Sequence, residues 1–361
     1  MTLLICPDSF KGSMTAVDFC MWSQQFFQKH LPGFSTTCVP LADGGEGSLV
    51  VLASLLDNPN WVNCHSVDAL HRPILSQYLT CGNKAYIELA KASGLPLIHP
   101  QEQDLLKSNT YGTGLLMKHA YESGFKDIVL FCGGSATIDG GTGILQALGF
   151  RLLDNRGKEI SNRVNALTSL HTIENSSNFR PDHLTLVVDV RNPICGVNGA
   201  ARVFGPQKGG SAEVIKKLDT ALHNFSAMLL NGGYIEDTAE EGLGAAGGVG
   251  LGLSLFSPVT KFGNDYFVIA TNLVKQLTAA DTIITGEGRF DEQSSMGKIT
   301  GTVIDLCHQY KKKCIVVCGS SSTRSNAAFE LINLCNESEI NDCIAEPKLY
   351  LENTLKRIFI K

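Results

Sequence analysis

Carboxylates, cations and hydroxyls recur beside glycines along this chain, in segments short enough for one small ligand to touch several of them. Pro7-Asp8-Ser9-Phe10-Lys11-Gly12-Ser13 places an acid, an ammonium and hydroxyls in one loop. Hydroxyls and a Lys at the start of a helix suit a phosphate or a carboxylate; an ordinary capped junction would not need all of them. Asp43-Gly44-Gly45-Glu46-Gly47 sets acids around a glycine pair. Such acids can hold Mg²⁺ or accept the proton of an attacking hydroxyl, although helix capping alone would explain Glu46. Gly133-Gly134-Ser135-Ala136-Thr137-Ile138-Asp139-Gly140-Gly141 has the composition of a phosphate cradle, because glycine backbone approaches a ligand closely and turns N–H groups toward an anion. Asp139 would repel that anion unless a metal or proton neutralised it, which assigns it to a cation or a hydroxyl.

Asp189 follows the apolar run Leu184 to Val188 and precedes Asn192-Pro193. An acid at such a strand end is costly to bury unless it is paired or ligated. Lys208 lies in the rigid loop Phe204-Gly205-Pro206-Gln207-Lys208-Gly209-Gly210, where an exposed turn lysine is the competing reading. Gly286-Glu287-Gly288-Arg289-Phe290-Asp291-Glu292-Gln293 follows the apolar run 282–285. Arg289 can clamp a carboxylate or offset charge on a transferred phosphoryl group; a salt-bridged turn is the alternative. Gly242-Leu243-Gly244-Ala245-Ala246-Gly247 matches the dinucleotide fingerprint, but the polar Asp237 to Glu241 before it is no strand, so a closely packed helix start is the better reading. There is no Walker phosphate loop, and the histidines show no metal-ligand spacing.

The elements that must position these loops alternate. A buried strand over Thr2 to Cys6 precedes a helix capped by Thr15 and running to about His30. A strand over 36–41 and a helix from Glu46 to Leu56 follow. Short strands occupy Val62 to Leu89, with a hairpin turn at Gly82-Asn83. Helical stretches are expected near Asp104 to Lys107, over Gly114 to Ser123 and over Thr142 to Leu148. Strands are expected over Ile128 to Phe131 and Leu184 to Val188, with the polar stretch Asn155 to Arg180 largely at the surface. A helix over Glu213 to Leu230 follows. The strand–helix rhythm then returns with helix Phe267 to Leu277, strand Thr282 to Thr285, helix Gly297 to Tyr310 and strand Cys314 to Cys318.

This alternation predicts doubly wound α/β sheets, and 361 residues suit two domains. The expected division gives one discontinuous Rossmann-like domain, 1–62 plus 261–361, and a second α/β domain, 63–260. A net charge of −5 argues against a nucleic-acid surface, and Lys311-Lys312-Lys313 reads as a solvated helix end. The twelve cysteines form no Cys-x-x-Cys pair, and several sit in apolar runs as small buried hydrophobes. No apolar stretch approaches the roughly 20 residues that span a bilayer, and the first residues read as a strand, not a leader. A reduced, cytoplasmic protein is the expectation.

Taken together, the segments resemble those of the bacterial-type glycerate kinase family. Those that carry the likeness are Pro7 to Gly12, Ala42 to Gly47, Glu88-Leu89-Ala90 with Ala92 to Leu95, Tyr111-Gly112-Thr113-Gly114 and Gly133 to Thr137 with Asp139-Gly140-Gly141. Asp189 with Asn192-Pro193, Phe204 to Gly209, Gly242 to Gly248, and Ile284 to Asp291 with Gln293 continue it. Ile138 stands where the family usually has Asn, Arg191 where an acid is common, and the chain beyond Gly319 matches poorly. The resemblance implies two α/β domains with a cleft between them, one a Rossmann-like doubly wound sheet. It also implies ATP-dependent, Mg²⁺-assisted phosphorylation of D-glycerate to 2-phosphoglycerate, though the residues do not choose between the two hydroxyls. Asp43 or Asp189 is the expected base or metal anchor, and Lys11 and Arg289 hold the glycerate carboxylate or the transferred phosphoryl, with Ser9 and Asp291 at the same substrate. Gly133, Gly134, Ser135, Thr137, Lys208, Gly286, Glu287 and Gly288 are expected at the nucleotide, and Asp43, Glu46 and Asp139 at the metal. Competing readings are 3-phosphorylation, an NAD-dependent dehydrogenase and a non-catalytic metabolite sensor on the same scaffold. The partner is the small substrate, with neither nucleic acid nor membrane, and a homodimer is an open expectation.

Overall fold

The computed structural model describes residues 1–291, 298–322 and 324–360, without the side chain of Glu337. The chain divides into two compact units: Met1–Asp43 with Val50–Leu55 and Gly263–Lys361, and Gly44–Leu49 with Leu56–Phe262.

The first unit is built on a five-stranded sheet in the order Glu330–Asn333, Lys313–Ser321, Thr282–Phe290, Thr2–Ile5, Ser35–Cys38, and every pairing is parallel. Parallel sheets are covered on both faces, and the apolar strands show it. Leu3, Ile5, Ile284, Ile315 and Val317 enter one core, while Leu4, Cys6, Ile283, Cys314 and Val316 enter the other. Helix Ala16–His30 starts where Thr15 caps it: the Thr15 hydroxyl accepts the Asp18 N–H at 3.0 Å and the Asp18 carboxylate accepts the Thr15 N–H at 3.1 Å. Its buried face, with Phe19, Phe26 and Phe27, repeats at helical spacing. Phe27 meets Phe359 of helix Pro347–Phe359 edge to face, ring centroids 5.0 Å apart. The carboxyl ends of the strands bring Asp8 and Asp43, on loops, and Glu287 and Arg289, on the extended end of strand Thr282–Phe290, to one edge of the sheet, as doubly wound folds do.

The second unit carries a six-stranded sheet in the order Val259–Phe262, His183–Val188, Asp127–Phe131, Lys84–Glu88, Pro73–Cys81, Asn60–Val67. The first four strands are parallel and the last two antiparallel. Cys81 pairs with Lys84 across the two-residue turn at Gly82-Asn83, with Gly82 at φ +58°. Its parallel strands end at Glu88, at the Gly133 loop and at Asp189.

Several expectations change in the folded chain. The segment near Asp104 to Lys107 is a turn, and a short 3₁₀ turn lies at Pro100–Glu102 instead. The stretch expected over Phe267 to Leu277 is two helices, Gly263–Ala270 and Leu273–Ala279, broken where Asn272 takes φ +50°. The stretch 155–180 is not merely surface: Asn165, Leu167 and Phe179 are buried, and Asn165 donates to the carbonyls of Leu105 and Ile138 at 3.0 and 2.8 Å. Strand Thr282–Phe290 outruns its apolar stretch because its ladder continues through Gly286 and Gly288. The poorly matching terminus is ordered as strand Glu330–Asn333 and helices Ile340–Ala345 and Pro347–Phe359.

Candidate active site

Each unit presents a cavity at the carboxyl edge of its sheet. That of the first unit is about 280 Å³ and is lined by Asp8, Ser9, Lys11, Asp43, Glu287, Gly288, Arg289 and Lys298, with an aliphatic side from Leu334 to Ile344. Asp8 is buried, and one carboxylate oxygen accepts the Ser9 N–H at 2.7 Å. Burial drives its pKa well above the usual carboxylate range, the charges of Asp43 and Glu287 push it further, and Lys11 partly offsets them. Glu287, also buried, pairs with Lys298 at 3.2 Å. Gly286 is fixed by space, since a Cβ there would stand 2.0 Å from the Val317 carbonyl oxygen on the next strand. Arg289 is exposed, 3.7 Å from Asp291; Asp291 is not among the lining residues. Glu292 and Gln293, the end of the motif, and Gly297, the expected helix start, lie outside the described residues.

The cavity of the second unit is about 100 Å³, lined by Gly134, Ser135, Asp189, Gln207, Lys208 and Ala246 among others. Lys208 is 4% exposed. Its ammonium donates to the Ser135 hydroxyl at 2.7 Å and to the Thr137 carbonyl at 2.9 Å. Burial lowers its pKa to about 8, against the opposing pull of Asp189 and Asp139. The lysine is therefore not the exposed turn residue that its Pro-Gly loop could have made it. Gly133 N–H donates to the Gly44 carbonyl at 3.2 Å, and a Cβ on Gly133 would lie 2.4 Å from Gly45 Cα and 2.9 Å from an Asp189 oxygen. The glycines of these two loops thus serve a backbone-to-backbone approach. Asp189 is half-buried. Ala246, at the cavity's edge, holds φ +51°, a left-handed conformation that side chains pay for in strain.

Asp139 does something else. It is fully buried, and its oxygens accept the Thr110 N–H and hydroxyl at 2.9 and 2.8 Å, the Gly143 N–H at 3.0 Å and the Gly141 N–H at 3.2 Å. Burial raises its pKa and these donors lower it. Its carboxylate braces the loop and the start of helix Thr142–Ala147. Glu46 is exposed and lines a separate polar cavity with Glu88 and Lys91. Glu88 is 1% exposed and accepts the Leu49 N–H at 2.8 Å. Among the described residues no group of three or more His, Cys, Asp or Glu is arranged to hold a metal ion, so Asp43, Glu46 and Asp139 form no single ligand set. Mg²⁺ fits the first cavity on other grounds: it keeps several waters and binds through one or two carboxylates plus substrate phosphates, and Asp8 and Asp43 are crowded acids of that kind.

The dinucleotide-like run is a packing element. Ala245–Gly247 is a 3₁₀ turn with no strand before it, and a Cβ on Gly247 would stand 2.1 Å from the Thr137 carbonyl oxygen. Residues that sequence reasoning missed are Lys298, the aliphatic side of the first cavity, and Asn165 beneath the Gly133 loop. For Lys298 the signal was present, a cation at a helix start just past an acid-rich loop; for the others it was not local.

Two α/β units, one on a parallel and one on a mixed sheet, each ending in a cavity where cations and acids meet, define an enzyme of small molecules. The chain belongs to the glycerate kinase family, whose sequence model matches residues 3–360, and it is a kinase. It is 38% identical over 338 residues to a glycerate kinase of Haemophilus influenzae, covering 91% of this chain and 89% of that one. It is 35% identical to the glycerate 2-kinase of Escherichia coli, covering 89% and 85%. A crystal structure assigned as glycerate kinase 2 from Salmonella typhimurium LT2 superposes with a TM-score of 0.80 at 32% identity, covering 99% of this chain and 98% of that one.

Proposed function

We propose that this chain transfers the terminal phosphoryl group of Mg-ATP to the 2-hydroxyl of D-glycerate. The observation that carries the reading is Lys208. A buried ammonium beside Ser135 and Asp189, in a cavity of about 100 Å³, suits the carboxylate of a three-carbon acid better than a polyphosphate. One lysine would leave most of a polyphosphate's charge unmatched. This moves the Gly133 loop, Ser135, Thr137 and Lys208 from the nucleotide, where the sequence reading put them, to the acid. The polyphosphate then belongs to the first cavity, where Lys11, Arg289 and Lys298 supply three cations.

In this reading Lys208 and Ser135 hold the glycerate carboxylate, and Asp189 accepts the hydroxyl proton. The hydroxyl oxygen bonds to the γ-phosphorus as the β–γ bridging P–O bond breaks, and ADP leaves. Lys11 and Arg289 offset charge on the phosphoryl group, while Asp43, with Asp8, anchors the metal, which when bound neutralises phosphate charge. Position 2 rests on the likeness to the Escherichia coli enzyme; the residues alone do not choose the hydroxyl. The sensor reading is weakened because Asp43, Asp189, Lys11 and Lys208 are all present and placed in cavities. The cysteines, all free thiols, suit a reducing compartment such as the cytoplasm. No helix among the described residues is long and apolar enough to cross a membrane.

The test is ADP release from Mg-ATP with D-glycerate, with enolase alone reporting the product. Turnover that feeds enolase directly supports 2-phosphorylation. ADP release without direct enolase conversion points to the 3-position, and no ADP release from folded protein overturns the kinase mechanism in favour of the sensor.

A further inference from the structure

We propose that the aliphatic side of the first unit's cavity is the seat of the donor's purine base, with Ile340, Cys343 and Ile344 beneath one face of the ring and Leu334 at its edge. The inference rests on the reading of ATP as donor and adds where its base binds. Ile340, Cys343 and Ile344 are spaced i, i+3, i+4 on helix Ile340–Ala345, so they share one face, and all three line the cavity together with Leu334. Leu334 follows strand Glu330–Asn333 and is fixed by its N–H to the Cys318 carbonyl at 2.8 Å.

The opposite side of the same cavity holds Lys11, Arg289 and Lys298 with Asp8, Asp43 and Glu287. One ligand that uses both sides must carry a polyanion at one end and a flat, weakly polar surface at the other. Glycerate has no such surface, and pressing its hydroxyls against aliphatic carbon would strip their water without replacing it. A nucleoside triphosphate has both. The volume, about 280 Å³, is near the lower end of pockets that enclose cofactor-sized ligands, whereas the Lys208 cavity is about a third of that. Ile344 is 46% exposed, a large aliphatic group at a cavity rim that a stacked base would cover.

The test measures binding, not turnover. ADP and inorganic tripolyphosphate, each with Mg²⁺, are titrated calorimetrically into the wild-type chain and into Ile344→Asp, a change at an exposed position that leaves the core intact. The expected result is an ADP affinity weakened about tenfold or more, with tripolyphosphate affinity unchanged. A milder Ile344→Leu variant should bind both as wild type does. In parallel, Mg-ADP should slow alkylation of Cys335 and Cys343 by N-ethylmaleimide more than tripolyphosphate does, mapped by mass spectrometry. Equal ADP affinity in wild type and Ile344→Asp would place the base elsewhere and overturn this inference while leaving the donor intact. Parallel loss of ADP and tripolyphosphate would overturn it too, since the segment would then act on the phosphates. A wild-type chain that binds glycerate but no ADP would remove ATP as donor, and the inference with it.

Discussion

In the second unit the cavity's cation, Lys208, is buried and held by Ser135 and the Thr137 carbonyl; in the first unit Lys11 and Arg289 are exposed and Lys298 is tied to Glu287. The acids differ in the same sense. Asp139 is saturated by four donors from Thr110, Gly141 and Gly143, while burial, and then the charges of Asp43 and Glu287, make Asp8 hold its proton more tightly. One cavity is small and fixed before any ligand arrives. The other is larger, with Asp8, Asp43 and Glu287 gathered beside Lys11, Arg289 and Lys298. In the proposed reading, preorganisation suits the acceptor, whose carboxylate must be oriented so that one hydroxyl reacts. Flexible long side chains suit a phosphate that must be gripped and then released as product.

The comparison breaks first at Lys208. Lys208→Met keeps the volume and removes the charge, and should lower kcat/KM for D-glycerate about 10³-fold while leaving ADP affinity unchanged; an ADP defect would reverse the assignment of the two cavities. Asp43→Asn comes next. It should lower kcat about 10²-fold and raise the Mg²⁺ concentration needed for half-maximal rate, with little change in KM for the acid, all read from steady-state kinetics. Full turnover by this variant would remove Asp43 from the mechanism.

The pH dependence sharpens the same contrast. In the proposed reading the Lys208 ammonium holds the acid's carboxylate, so acid affinity should fall as pH rises through about 8, by about tenfold per unit beyond it, and Lys208→Met should show no such titrating binding. The linkage runs the other way for stability. The folded pKa, about 8, lies below the ordinary 10.5, so between these values the unfolded chain binds more protons and stability rises with pH. Chemical denaturation of the wild type should show that rise across the window, and Lys208→Met should lack it. The smallest effect belongs to the exposed helix cap that follows the Asp8–Ser13 loop. Thr15→Ala should cost about 1 kcal/mol of stability by thermal melting, and leave kcat and KM unchanged.

The parts legible in the sequence were those whose cause is local. Thr15 caps its helix through Asp18 only three residues on, and the apolar runs became the buried parallel strands. The glycine clusters were visible because Gly133, in a loop, and Gly286, in a strand, stand where any Cβ would meet backbone. The rest depends on partners far along the chain. Lys208 meets Ser135 from 73 residues away, so its burial could not be read from a Pro-Gly loop that serves equally well at a surface. Asn165 ties down the backbone 27 residues before it, at Ile138, from within a stretch whose polarity reads as solvent-facing. Asp139 looked like a ligand to a cation because composition shows the charge of an acid but not the backbone donors that saturate it. The helix face at Ile340, Cys343 and Ile344 is too short for its period to stand out from the sequence around it.

Calorimetry of D-glycerate binding to the wild-type chain and to Lys208→Met, without nucleotide, tests the division of labour most directly. The wild type should bind the acid and the variant should lose it, with Mg-ADP binding equal in both. Glycerate binding that survives in Lys208→Met, or Mg-ADP binding that disappears with the lysine, would contradict the account.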